Sequence, residues 1–116
     1  MYDDVLIPTD GSEAVDRALD HAIPLAGDHD ATVHALYVVD GRVLAANSGD
    51  LREAVAADLE SQGETAVQAV ADRAEAAGLD VETTVTRGTP DTEIVAYAAS
   101  NDVDLVVLSP TGKSPR

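Results

Sequence analysis

An apolar run that stops at a polar turn near the N-terminus constrains the fold of this chain more than any other feature. Positions 5–7 read Val-Leu-Ile, Pro8 ends the run, and the turn residues Thr-Asp-Gly-Ser follow at positions 9–12. Apolar residues then recur at helical spacing through positions 14–23. This pattern predicts a buried parallel strand, a tight loop and a helix that packs on the sheet.

Strand and helix patterns alternate along the rest of the chain. Apolar or alternating runs predict four strands, at positions 4–9, 32–39, 81–86 and 104–108. Helical spacing predicts three helices between them, at positions 12–25, 50–77 and 91–100. This alternation indicates an α/β domain, with a parallel sheet, right-handed crossovers and helices on both faces.

Particular residues refine these helices. Asp10 or Ser12 is expected to cap the first helix by accepting a backbone N–H bond, and Pro24 is expected to shorten or kink its end. Gly63 is expected to interrupt the long helix, and Gly78 to cap its C-terminus.

Three further expectations concern exposure. The segment 41–49 is predicted to be a mobile or lid-like loop. The third helix is expected to turn its apolar residues inward, namely Ile94, Val95, Ala98 and Ala99. The continuous apolar run within 104–108 suits a buried strand.

The charge balance is strongly acidic, with 22 Asp and Glu residues against 7 Lys and Arg, a net charge of −15. Concentrated salt would screen this repulsion, so we expect a salt-filled cytoplasm, as in a halophilic archaeon. The same charge argues against nucleic-acid binding, which needs a basic surface. No apolar run reaches the roughly 20 residues of a membrane span, and the chain has no cysteine for a disulfide or thiolate site.

Four segments, in order and at matching distances, resemble the universal stress protein domain. They are positions 5–12, 37–40 (Tyr-Val-Val-Asp), 88–90 (Gly-Thr-Pro) and 104–108 (Asp-Leu-Val-Val-Leu). The resemblance covers essentially all of positions 1–116 and implies a single domain. It also implies a three-layer, Rossmann-like (adenine nucleotide alpha hydrolase-like) sheet of order 3-2-1-4-5, and usually a homodimer.

The resemblance also implies a nucleotide site at the carboxyl ends of strands 1, 2 and 4. One branch of the family binds ATP, which we expect here with Mg²⁺, and another branch does not. In the binding branch the aspartate matching Asp10, beside Pro8 and Thr9, contacts the adenine or its vicinity. A valine matching Val38 packs on the base, and the turn at Gly88 borders the nucleotide.

The family's phosphate loop follows the fourth strand with the pattern G-x-x-G and, further on, G-[S/T]. Here the loop begins after Leu108, and Ser109 stands where the first glycine belongs. Pro110 has no N–H to donate, whereas Gly112 matches the second glycine. A phosphate held by backbone N–H groups needs close approach of the chain, so this departure weakens phosphate binding.

The end of the sequence departs from the pattern a second time. Lys113 and Ser114 could add donors and one positive charge, but the sequence stops at Arg116, before the distal G-[S/T], the last helix and the fifth strand. We expect a truncated fragment; a naturally short gene and completion of the sheet edge by a partner chain are the alternatives. If complete, the chain is expected to pair edge to edge as a dimer or to be poorly soluble outside high salt.

Each candidate residue also has a structural interpretation. Asp10 can be a helix cap, Gly88 a tight turn, and Lys113 with Ser114 a frayed end. The three histidines lack metal-ligand spacing and are interpreted as structural or solvated, so we expect no metal site. No set of catalytic residues is legible, and any ATP hydrolysis would be slow.

Three functions stay open. The chain is interpreted as a stress-response protein that binds ATP or a related adenine nucleotide. The alternative is a protein-interaction module of the same fold with a vestigial pocket, which Ser109 and Pro110 favour. A third possibility is a sensor for AMP-like ligands that does not need a full phosphate loop.

Overall fold

The computed structural model describes residues 2–108 as a parallel sheet with helices on both faces. Its elements follow the predicted alternation, with one additional short helix. In chain order they are β1 (Asp4–Pro8), α1 (Ala14–His29), β2 (Thr32–Asp40), α2 (Gly41–Ala45), α3 (Gly49–Ala76), β3 (Val81–Gly88), α4 (Pro90–Ser100) and β4 (Leu105–Val106).

The sheet has the order β3-β2-β1-β4, and each neighbouring pair is parallel. In register, Leu6 of β1 lies beside His34 of β2, and Pro8 lies beside Leu36. The chain passes from β1 to β2 and β3 on one side and returns to β4 on the other. This confirms the predicted α/β class and the first four positions of the predicted strand order.

One face of the sheet packs against α1 and α3. Val5 and Ile7 of β1 and Val33 of β2 are buried in one cluster with Leu19 of α1 and Val70 of α3. Each of these five side chains is at most 1% exposed. Burial of a Val, Leu or Ile side chain contributes about 1.5–3 kcal/mol, so this face supplies the main stabilisation of the sheet.

The opposite face carries α4, which is less buried than expected. Ile94 and Ala98 are half-buried, but Val95 and Ala99 are exposed, with Val95 at 69%. The prediction that all four face inward was therefore wrong for two of them. A helix on one face of a sheet buries only a stripe, and the stripe here passes through positions 94, 97 and 98.

The fourth strand is shorter and more exposed than the apolar run predicted. Strand pairing covers only Leu105 and Val106, which are half-buried, and Leu108 is 68% exposed. Among residues 2–108, β4 is the outermost strand on its side and pairs only with β1. The expectation of a buried strand over 104–108 was wrong because no described strand covers its other edge.

Helix α1 continues through Pro24 to His29, although the proline was expected to shorten or kink its end. Proline removes the bond to the carbonyl four residues earlier, here that of the exposed residue Asp20, which water can reach. Ile23 and Ala26 on either side of the proline are buried against the sheet. Their packing offsets the lost hydrogen bond and keeps the helix intact.

The segment predicted as a loop contains the helix α2. Asp40 caps α2, because its Oδ1 accepts the N–H of Arg42 at 2.9 Å, and Leu44 is buried. Arg52 of α3 donates from Nε to the carbonyl oxygens of Leu44 and Asn47, both at 3.1 Å. These contacts hold the segment against α3, so the expectation of a lid-like loop was wrong.

Helix α3 passes through Gly63 without interruption and ends where predicted. The ring of Tyr37 lies so close to Gly63 that a Cβ there would be 2.6 Å from the ring's Cδ1. Gly78 has a φ of 79°, and the N–H groups of Gly78 and Leu79 bond to the carbonyls of Glu75 and Ala74. This is the Schellman arrangement, which confirms Gly78 as the residue that ends the helix.

Candidate functional site

A pocket of about 280 Å³ lies at the carboxyl ends of β1 and β2, against the first turns of α4. We call it the strand-end pocket. Its described lining residues are Pro8, Thr9, Asp10, Leu36, Tyr37, Val38, Pro90, Ile94 and Leu108. Strand order reverses between β1 and β4, and crevices at such a point are where open parallel sheets bind ligands.

The turn between β1 and α1 forms one wall of this pocket and is fixed by local hydrogen bonds. The N–H of Thr9 donates to the carbonyl of Leu36 at 2.8 Å, and Thr9 Oγ1 accepts the N–H of Gly11 at 3.1 Å. Asp10 Oδ1 accepts the N–H of Ser12 at 2.9 Å. Gly11 has a φ of 81°, a conformation that favours glycine.

This turn corrects the predicted cap of the first helix. Helix α1 begins at Ala14, and the residue before it, Glu13, makes no side-chain cap bond. Asp10 bonds to Ser12, which precedes the helix, so the carboxylate stabilises the turn and not the helix terminus. A short polar side chain that accepts a hydrogen bond from the backbone N–H two positions later is typical of turns.

The structure brings together five of the residues predicted for the site. Pro8, Thr9, Asp10, Val38 and Leu108 all line the strand-end pocket. The other predicted residues on the phosphate loop lie outside the described residues; they are Ser109, Gly112, Lys113 and Ser114.

Gly88 does not line the strand-end pocket. Its φ is 149°, and a Cβ at this position would lie 2.7 Å from Cγ and Oε2 of Glu93. The position therefore requires glycine because of the backbone conformation and the close approach of a side chain from α4. Its surroundings support the structural interpretation of this residue.

Four lining residues were not among the predicted site residues. Leu36 lies two positions before Val38 on β2, so both side chains point to the same face, a signal that was available in the sequence. Pro90 and Ile94 come from the start of α4, and only the tertiary fold places them here. Tyr37 also lines the pocket, although its ring lies against Gly63 of α3 on the other face of the sheet.

The electrostatics of the pocket are simple. Asp10 is the one charged side chain among its described lining residues. Burial raises the pKa of Tyr37, and the negative charge of Asp10 raises it further. The described lining residues therefore offer apolar walls and one carboxylate, that of Asp10, which accepts N–H or O–H groups. None of the described lining residues of the strand-end pocket carries a positive charge that could bind phosphate.

A polar network at the amino ends of the strands was not predicted from the sequence. His34 is 3% exposed, and its Nε2 lies 2.8 Å from Asp4 Oδ1 while its Nδ1 lies 2.8 Å from the hydroxyl of Tyr97. Burial raises the pKa of Tyr97, so its hydroxyl keeps the proton that it can donate to Nδ1. The network ties α4 to the sheet, which agrees with a structural role for this histidine.

Two features of residues 2–108 bear on other classes of protein. No cluster of His, Asp or Glu within residues 2–108 has the geometry to hold a metal ion. In the same range, none of the helices combines the length and the apolar character that a membrane crossing requires.

The fold and the pocket define an α/β protein with a Rossmann-like sheet and a ligand crevice at the point where strand order reverses. The model of the universal stress protein family matches residues 1–116, and the chain belongs to that family. It is 36% identical, over 115 residues, to universal stress protein MJ0531 of Methanocaldococcus jannaschii. That match covers 98% of this chain and 68% of the relative.

Solved structures show the same architecture. The hypothetical protein MJ0577 superimposes with a TM-score of 0.85 at 26% identity, over 97% of this chain and 78% of that one. A universal stress protein solved in complex with cAMP gives a TM-score of 0.64 at 26% identity, over 90% of this chain and 70% of that one. At least one relative of this fold thus binds an adenine nucleotide.

Proposed function

We propose that the strand-end pocket binds an adenine nucleotide and that the protein acts as a nucleotide-responsive stress protein. The observation that carries this proposal is the convergence of Pro8, Asp10, Val38 and Leu108 on one pocket at the switch point of the sheet. The structure of a relative in complex with cAMP supports the same class of ligand.

The shape and chemistry of the pocket favour the base and the sugar. Its volume of about 280 Å³ lies just below the usual range for ligand sites, about 300–1,000 Å³. The adenine would lie between Val38 of β2 and Ile94 of α4, where both faces of the ring meet apolar side chains. Asp10 would accept a hydrogen bond from a ribose hydroxyl or from the amino group of the base.

The phosphates would leave the pocket past Leu108 and reach the loop that contains Ser109, Gly112, Lys113 and Ser114. The family resemblance implies that loop for the phosphates, and we propose that Mg²⁺ accompanies them. Because the described lining residues include no cation, we expect most of the affinity to come from the nucleoside. AMP should therefore bind within about tenfold of ATP, a difference of about 1.4 kcal/mol.

Calorimetric titration of Mg-ATP and AMP into the protein in molar KCl tests this proposal. Asp10→Asn keeps an oxygen that can accept the N–H of Ser12 but removes the charge. A charge-assisted hydrogen bond contributes about 1.5–3 kcal/mol, so this variant should weaken binding by about tenfold or more. Asp28→Asn, at an exposed position near the end of α1, makes the same charge change and should leave binding unaltered.

A second candidate function is a protein-interaction module whose pocket takes no nucleotide. The absence of a basic side chain among the described lining residues favours it, as do Ser109 and Pro110 in the sequence. No heat with either nucleotide at millimolar concentration, from a folded sample, would favour this module. Self-association stays a prediction, which sedimentation at low and high KCl checks. The salt-filled cytoplasm also stays a prediction.

A further inference from the structure

A second and larger pocket lies on the face of the sheet that carries α1 and α3. Its volume is about 470 Å³, and it opens between the turn after β1, the start of α1 and the middle of α3. We call it the interhelical pocket. It shares Thr9, Asp10 and Tyr37 with the strand-end pocket, and its other lining residues belong to the turn before α1 and to the two helices.

The floor of the interhelical pocket is apolar. Val15 and Leu19 of α1 and Ala66 and Val70 of α3 line it, and all four are buried. Ala66 of α3 has a small side chain, and the space beside it is not filled by core side chains. An apolar floor of this kind favours an aliphatic or aromatic group over a hydrated ion.

The rim on the α1 side is negatively charged. Asp10, Glu13 and Asp16 line the pocket, and none of its described lining residues is a Lys, Arg or His. The positive end of the α1 dipole accounts for acidic residues at Glu13 and Asp16. It does not account for Asp10, which precedes the helix and is held by its hydrogen bond within the turn. Three carboxylates around an apolar floor repel phosphates and carboxylates and attract cations.

A polar atom beside this pocket has no hydrogen-bond partner among residues 2–108. The hydroxyl oxygen of Ser12, a lining residue, is buried and makes no hydrogen bond. Buried hydroxyl groups in folded proteins nearly always have a partner, and an exception calls for an explanation. A ligand head group with several N–H donors at the rim would supply that partner after a small rotation of the side chain.

From the apolar floor, the acidic rim and the unpartnered hydroxyl, we propose that the interhelical pocket binds a small organic cation: an amine or guanidinium group on a short aliphatic stem. The stem lies on Leu19 and Val70, and the head group lies among the carboxylates of Asp10, Glu13 and Asp16. The volume is within the range of small-molecule sites, about 300–1,000 Å³, so the occupant is a free metabolite-sized cation. Cation binding here does not require a nucleotide, although both ligands would contact Asp10.

Agmatine, which carries both kinds of head group on a four-carbon stem, is the probe for the test. It is titrated into the full chain in molar KCl, where screening suppresses loose attraction to the acidic surface. We expect saturable binding at one site per chain, and no binding of butyrate, which has a similar stem and the opposite charge. Chemical shifts should change at Leu19 and Val70.

Two variants with matched controls locate the site without altering Asp10. Glu13→Gln with Asp16→Asn should weaken agmatine binding by about tenfold or more, since charge-assisted hydrogen bonds are lost. Asp28→Asn with Asp80→Asn removes the same charge at exposed positions away from the pocket and should change the affinity less than twofold, about 0.4 kcal/mol.

A steric variant tests the floor. Ala69 is an exposed residue of α3 that lines the pocket, so Ala69→Phe should fill the space without disturbing the core and should abolish binding. Ala57→Phe, at an exposed position two turns or more away on the same helix, should not. The proposal is overturned by an absence of saturable binding, by binding that neither pocket variant weakens, or by binding of a blocked arginine peptide but not of agmatine. The last result would assign the surface to a partner protein.

Discussion

Replacement of Gly63 by alanine should destabilise the protein, although alanine is the better helix former. Gly63 lies inside α3, where glycine is about 1 kcal/mol less favourable than alanine. A Cβ at this position would lie 2.6, 3.0 and 3.1 Å from three ring atoms of Tyr37. These atoms are at the root and side of the ring and not at the tip of a flexible chain, so the ring or the helix must move.

The magnitude follows from two opposing contributions. Overpacking of a filled site costs about 1–3 kcal/mol, and the gain in helix propensity offsets about 1 kcal/mol of it. Gly63→Ala should therefore lower the free energy of unfolding by up to about 2 kcal/mol. For a domain of this size that corresponds to as much as about 8 °C in Tm.

Gly27 provides the matched control, because it is a helical glycine whose added Cβ would meet nothing within 4 Å. Gly27→Ala should raise the free energy of unfolding by about 0.5–1 kcal/mol, since only the propensity gain applies. Urea unfolding in molar KCl, followed by circular dichroism, measures both variants under the same conditions.

A double-mutant cycle identifies the cause. In a Tyr37→Ala background the obstacle is gone, so Gly63→Ala should become stabilising, like Gly27→Ala. The reasoning is refuted if Gly63→Ala and Gly27→Ala stabilise the wild-type chain equally. It is also refuted if Gly63→Ala remains destabilising by the same amount without the ring.

Three further predictions follow from local contacts. Tyr97→Phe leaves Nδ1 of buried His34 without its partner and should cost about 1–2 kcal/mol in urea unfolding. Asp30 ends α1 with a φ of 53°, so Asp30→Gly should stabilise by about 0.5–1 kcal/mol in the same assay, and a loss of stability would contradict this. The backbone N–H groups of residues 3 and 4 donate to the carboxylate of Asp104 and lower its pKa. The ionised carboxylate therefore stabilises the fold fully above the unfolded pKa of about 3.9. This stabilisation is lost as the pH falls through the lower pKa of the folded state. Asp104→Asn should therefore be less stable than the wild type at pH 6, and denaturant titrations should show that difference shrinking below about pH 4.

The parts of the fold with a strong local signal could be predicted from the sequence. The apolar run before Pro8 and the turn after it specify a buried strand and a loop, because a parallel strand covered on both faces needs continuous apolar residues. Once four strands are parallel, their carboxyl ends share one edge. The family resemblance implied that Asp10 and Val38 belong to one site, and the shared edge agrees with it.

Features that depend on contacts between distant residues could not be predicted in the same way. One example is the hydrogen-bond network of His34 with Asp4 and Tyr97. Its residues come from β2, β1 and α4, and no spacing in the sequence indicates that they meet. Likewise, Val95 has the right period for an inward position, but α4 buries only a narrow stripe. Tertiary packing decides which apolar residues of a periodic helix are covered.

The same limit applies to the two pockets. The sequence placed Asp10 at the edge of the sheet but gave no reason to expect a space between α1 and α3. That space depends on how far apart the helices lie over small residues such as Ala66, which is a property of the packed structure. The lining residues Tyr37 and Ile94 reach the strand-end pocket for similar reasons.

The most direct test of the central proposal is a map of methyl chemical shifts during titration with AMP and then with Mg-ATP. We predict saturable changes at Val38 and Ile94, on the walls of the strand-end pocket, with little change at Val70 on the other face of the sheet. Asp10→Asn should shift the titration to higher nucleotide concentration. Unchanged methyl signals at millimolar nucleotide, or changes confined to the side of Val70, would contradict the proposal that this pocket binds an adenine nucleotide.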